Sequence, residues 1–199
     1  MEFSTTTFLD SPIGNYKPAG KSQLVGLSHH FSADESINAN PFYRSINNYV
    51  FNPERAKAVS VFDIAEYLLC QLGEQTTMKL HKLAYYCQAW SLVWDEKILF
   101  NEEIEAWANG PVIRPLFYFH KGLFSLNSVS IGNPQALDES QKETVNSVIE
   151  YYGHKSSQWL IELTHLEDPW KKARKGLAPT ERGNNIISLE SMSEYYSSL

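Results

Sequence analysis

A helix that is apolar on two faces has to sit in the middle of a domain, and the stretch from Thr76 to Trp94 reads as such a helix. Leu80, Leu83, Ala84, Cys87, Trp90 and Trp94 follow the spacing of one face, while Tyr86, Ala89 and Val93 make the other side apolar as well. The cap lies at Thr76–Thr77. Only a strip of His81, Tyr85, Gln88 and Ser91 is left to reach water or a polar partner.

Around this helix the chain reads as mostly α: a compact helical domain with one short β-hairpin, preceded by an irregular N-terminal extension. Ser60 can cap the amide of Asp63, opening a helix whose face is Val61, Ile64, Ala65, Leu68, Leu69 and Leu72 and which Gly73 stops. Residues Ile98 to Phe100 and Ile104 to Ala108 are short enough for two strands or one irregular turn, with Trp107 offering a large face to the core. Gly110, Pro111 and Val112 force a sharp redirection. Pro115 can then open a helix with Leu116, Phe119 and Leu123 inward and Gly122 near its end. Asp138 with Gln141 resembles a capping box for a helix through Tyr152; Ser156 or Ser157 caps one through Leu166, and Ser188 one to Tyr196.

The chain divides near Ala58, into an extension of residues 1–57 and a domain of residues 58–199. The extension is rich in Ser and Asn, carries Pro12, Pro18, Pro41 and Pro53, and shows no sustained period. Its charges cancel, Lys17, Lys21, Arg44, Arg55 and Lys57 against Glu2, Asp10, Asp34, Glu35 and Glu54, so the net charge of −6 sits in the remainder. Eight aromatics from Phe3 to Phe51 are more than a solvating tail would carry. The segment therefore docks, either on its own domain or on a partner. For a partner, the anchors would be Phe42, Tyr43, Arg44, Tyr49 and Phe51.

Charge and composition bound the function. An acidic chain does not favour a dedicated nucleic-acid binder, and a basic partner is the easier picture. No apolar run approaches the ~18 residues of a bilayer span, and the amino terminus lacks the pattern of a secretory signal, so the cytoplasm is the expected compartment. Cys70 and Cys87 fit neither a CxxC pair nor a zinc site and are expected as buried, reduced thiols. The six histidines show no HxxxH or HExxH spacing, and no metal or cofactor is expected.

Taken together, KLHKLAYYCQAW from Lys79, LFNEEIEAWANGPV from Leu99 and PLFYFHK from Pro115 resemble the Panacea domain, also called the antitoxin SocA-like or phage-associated GepA-type domain. Lys79, Leu80, Lys82, Leu83, Tyr85, Tyr86, Gln88 and Trp90 match the first part of its signature. Leu99, Phe100, Ala106, Trp107, Gly110, Pro111 and Val112 match the second. The departures are His81 for a usual Gln, Cys87 for a usual Ala, and Phe117 near a usual Tyr. The resemblance runs from about Ser60 to Tyr196 and leaves out the extension. It implies an antitoxin of a two-gene toxin–antitoxin module that neutralises a toxin encoded by a neighbouring gene through direct protein–protein contact. The family resembles a neutralising scaffold paired with unrelated toxins, and one branch is similar to an adaptor delivering its toxin to a ClpXP-type protease. Such a protein is no enzyme and needs no catalytic residue.

Other readings of the residues lead to weaker functions. His81 beside Lys79 and Lys82 could bind an anion, but reads better as hydrogen-bonded structure. Glu102, Glu103 and Glu105 crowd the turn before Trp107 and read as a solvated rim, since no nucleophile or GxSxG motif accompanies them. Lys171, Lys172, Arg174 and Lys175 could grip phosphate, but suit the C-terminal end of a short helix before Gly176. The helices ending at Gly73 and beginning near Thr77 are spaced like a helix-turn-helix, which keeps a DNA-binding repressor open. Against that stands a second helix too apolar for a recognition helix.

Overall fold

A computed structural model describes residues 59–199. The extension anchors Phe42, Tyr43, Arg44, Tyr49 and Phe51, and the boundary at Ala58, lie outside the described residues.

The described residues form seven helices and two small antiparallel strand pairs. Helix α1 (Val61–Leu72) starts on a complete capping box: Ser60 Oγ accepts from the Asp63 amide, and the Asp63 carboxylate accepts from the Ser60 amide at 2.9 Å. Strand β1 (Gln75–Thr76) leads into α2 (Thr77–Trp94), whose first turn is capped by Thr76 Oγ1 accepting from Lys79 N at 3.3 Å. Strands β2 (Ile104–Trp107) and β3 (Gly110–Ile113) make a hairpin in which Ala106 faces Pro111 and Trp107 faces Gly110. Helix α3 (Arg114–His120), strand β4 (Ser125–Leu126, paired with β1), α4 (Glu139–Tyr152), α5 (Ser157–Leu166), α6 (Asp168–Ala173) and α7 (Leu189–Tyr196) complete the order. The capping box at Asp138 and Gln141 and the caps Ser156 and Ser188 stand where the sequence places them.

Helix α2 is the hub. It packs on α1, α4, α5, α7 and β3, and from Leu80 to Ser91 every residue is buried. The expected polar strip is therefore only half right. His81, Tyr85, Gln88 and Ser91 all find polar partners, but none faces water, because α7 and the hairpin close over the side that the helix period alone leaves open. From Leu80 to Ser91 that burial leaves α2 no face for a DNA groove, which counts against its use as a recognition helix.

Other expectations need correction. The hairpin partner of Ile104–Trp107 is Gly110–Ile113, not Ile98–Phe100. Pro111 has no N–H to give the ladder, and its carbonyl turns to a side chain of α2 instead. Leu123 is 56% exposed, because α3 already ends at His120 and Leu123 falls in the turn beyond it. Cys87 is buried but Cys70 is exposed, on a side of α1 left open among the described residues. Outside the hairpin, residues 185–187 run along β2, with Ala106 N donating to Asn185 O and Ile187 N to Ile104 O, each at 2.8 Å.

Candidate functional site: the hairpin against the central helix

Polar groups cannot be buried without partners at less than a cost of roughly 1–3 kcal/mol each, so the polar residues of α2 define what surrounds them. Lys79, half-buried, gives its ammonium to Gly153 O at 2.6 Å, tying α2 to the end of α4. Lys82 is fully buried and gives its ammonium to Pro111 O at 3.1 Å, tying α2 to β3. Burial lowers Lys82 to about 7, so near neutral pH the side chain is poised between charged and neutral. Gln88 accepts from the Phe100 amide at 3.0 Å and fixes the loop entering the hairpin. Trp90 donates to the Tyr152 hydroxyl at 3.3 Å and stacks on Trp94.

A second buried group collects at Glu167, between α5 and α6. Its carboxyl accepts from Tyr86 at 3.1 Å and Tyr196 at 2.6 Å, and the Tyr85 and Tyr196 hydroxyls meet at 3.1 Å. Desolvation raises Glu167 to about 8 against the lowering effect of the two tyrosine hydrogen bonds. The adjacent tyrosines Tyr85 and Tyr86 therefore serve to fasten α7 and the α5–α6 corner around α2.

The hairpin carries the surface part of the site. Glu105, expected on a solvated rim, is buried under Arg114, which holds it with two guanidinium bonds of 2.5 and 2.7 Å. Trp107 Nε1 donates to the same carboxylate at 2.7 Å. Trp107 itself is half-exposed, a correction to its expected core position, and its ring meets Phe117 edge to face at 4.8 Å. Arg114, Phe117 and Tyr118 are half-exposed beside it. Underneath, Trp170 donates to Trp107 O at 3.0 Å and Arg174 to Ala106 O at 2.9 Å. Arg174 thus leaves the basic cluster: it is buried and also serves the carbonyls of Ala178, Pro179 and Glu181. Lys171, Lys172 and Lys175 remain exposed at the end of α6, as a helix terminus would have them.

A sequence model of the family described as "Antitoxin SocA-like, Panacea domain" matches residues 80–171. Over that stretch the chain is similar to the Panacea domain. No curated protein and no solved structure matches the chain. In and beside the matched stretch, the signature residues play distinct parts. Leu80, Lys82, Tyr85, Tyr86 and Trp90 are buried in α2, Lys79 joins α2 to α4, Gly110 and Pro111 are the buried strand against Lys82, and Trp107 reaches the surface. Sequence reasoning missed Arg114, His120, Glu167 and Tyr196. The first two stand in or beside the quoted run PLFYFHK, but nothing in their spacing ties Arg114 to Glu105 or His120 to His81.

Proposed function

We propose that this protein is an antitoxin that neutralises, by direct protein–protein contact in the cytoplasm, a toxin encoded by a neighbouring gene. The match of residues 80–171 to an antitoxin-named family carries the reading. The exposed chemistry supports it. Trp107, Arg114, Phe117 and Tyr118 share one rigidly backed face, and Trp, Tyr and Arg are the side chains that anchor protein interfaces. Neutralisation asks for occlusion of a toxin and no chemistry of its own, so the protein is proposed to be no enzyme. The extension anchors Phe42, Tyr43, Arg44, Tyr49 and Phe51 are assigned to partner choice.

The adjacent reading frame provides the test. Expressed alone it should arrest growth, and with this chain it should not. A neighbour that is harmless by itself overturns the antitoxin reading. Blotting for the neighbour's product during rescue separates occlusion, where its level holds, from delivery to a protease, where its level falls.

A further inference from the structure

His81 and His120 meet Nε2 to Nε2 at 2.8 Å, both buried, one on α2 and the other at the end of α3. A hydrogen bond between two ring nitrogens needs one proton and one lone pair. The backbone decides which ring has which. Ile113 N donates to His81 Nδ1 at 3.2 Å, so that nitrogen is bare and the His81 proton sits on Nε2. His81 Nε2–H then donates to His120 Nε2, which leaves the His120 proton on Nδ1, a buried atom with no hydrogen-bond partner among the described residues. Every ring nitrogen is assigned, and the arrangement has no room for another proton. A proton added to His120 Nε2 would face the His81 N–H, and shifting the His81 proton to Nδ1 would face the Ile113 N–H.

We propose that the His81–His120 pair is an acid-sensitive latch, which holds the β3–α3 junction against the central helix only while both rings are neutral. Among the described residues its surroundings give an added charge little relief: a backbone hydrogen bond at His120 favours the charged ring, but by less than burial opposes it. On α2 the neighbour is Lys82, a cation when charged, whose ammonium is committed to Pro111 O; Tyr85 one turn on is tied to Tyr196. From β3 the contact is the Ile113 amide. On α3, Arg114 is held by Glu105 of β2, so that carboxylate is already engaged. From α1 the packing is Phe62 on Phe119. Burial lowers both histidines from their usual range, and Lys82 lowers His81 further. The latch connects to the surface through rings: Phe117 stands edge-on to His120 at 5.6 Å, and Trp107 edge-on to Phe117 at 4.8 Å. Release of His120 frees the ring that backs Trp107. None of this depends on the antitoxin reading.

The full-length chain, labelled with nitrogen-15, tests the latch in two ways. Long-range proton–nitrogen spectra of the histidine rings at pH 7.5 should show His81 with a bare Nδ1 and His120 with a bare Nε2. The same tautomer in both rings refutes the assignment, and this measurement needs no variant of either ring. As the pH is taken from 7.5 to 5, the Trp107 indole N–H signal, assigned by its absence in Trp107→Phe, should shift or disappear. His120→Gln keeps an acceptor for His81 but cannot take up a proton, and should hold that signal in place over the same range. An acid response retained in His120→Gln, or absent in the unaltered chain, overturns the proposal.

Discussion

Lys82 and Gly110 occupy adjoining space so tightly that a Cβ added at Gly110 would stand 2.6 Å from Lys82 Cε and 2.9 Å from Thr164 Oγ1. Gly110 also has a φ of +93°, where a side chain is strained whatever the room. Gly110→Ala combines backbone strain of about 1–3 kcal/mol with a similar overpacking cost, so unfolding in urea should show a loss of roughly 2–6 kcal/mol. Adding Lys82→Ala should recover part of the contact cost and none of the backbone cost. Simple additivity of the two losses would refute the contact.

Glu167 and Lys82 give the stability of the domain opposite pH slopes. Folding raises Glu167 from an ordinary value of 4.5 to about 8, so between these the folded protein holds a proton that the unfolded chain has lost. Its contribution is complete below 4.5 and declines as pH rises through 8. Folding lowers Lys82 from 10.5 to about 7, so between those values the unfolded chain holds the extra proton and stability rises with pH. Glu167→Gln should remove the first slope: from pH 5 through 6 to 7 the unaltered chain should lose unfolding free energy steadily relative to the variant, because the rise that the lowered His81, His120 and His165 impose over this range is common to both. Parallel curves for the two proteins would refute the raised value.

Trp107→Ala should separate folding from partner binding. Full burial of the ring would make truncation cost ~3–5 kcal/mol, but half-exposure lowers the expectation to about 2 kcal/mol. The domain should remain folded by circular dichroism, while rescue of cells from the neighbouring frame's product is lost. A folded Trp107→Ala that rescues fully removes Trp107 from the partner surface.

A chain beginning at Ala58 retains the Ser60–Asp63 capping box and every element described, and should fold. It should fail to protect cells, because Phe42, Tyr43, Arg44, Tyr49 and Phe51 are gone. Full protection would place neutralisation in the domain, and an unfolded product would assign the aromatics of the extension to packing.

Local chemistry was legible in the sequence and long-range closure was not. Ser60, Thr76, Asp138, Ser156 and Ser188 could be read as caps because a cap and the amide it accepts from lie three residues apart. The centrality of α2 was visible from its two apolar faces. What escaped were residues whose role is set by a distant partner: Tyr85, Tyr86 and Glu167 are joined by Tyr196, 111 residues beyond Tyr85. Glu105 looked solvated because Arg114, which covers it, lies nine positions on across a hairpin whose second strand begins with Gly-Pro. Cys70 misled because a helix with one fully buried face still exposes its far side, and an apolar neighbourhood in sequence does not say which side that is.

The unequal placement of the two cysteines makes the chain its own unfolding gauge. Cys70 lies open on α1, whereas Cys87 is sealed in the middle of α2, and burial pushes its thiol up so that the reactive thiolate is suppressed. A thiol reagent added to the native protein will modify Cys70 at once and supply an internal clock. Modification of Cys87 then requires the hub itself to come apart, so its rate counts the openings of the core, without denaturant and at any pH where the reagent works.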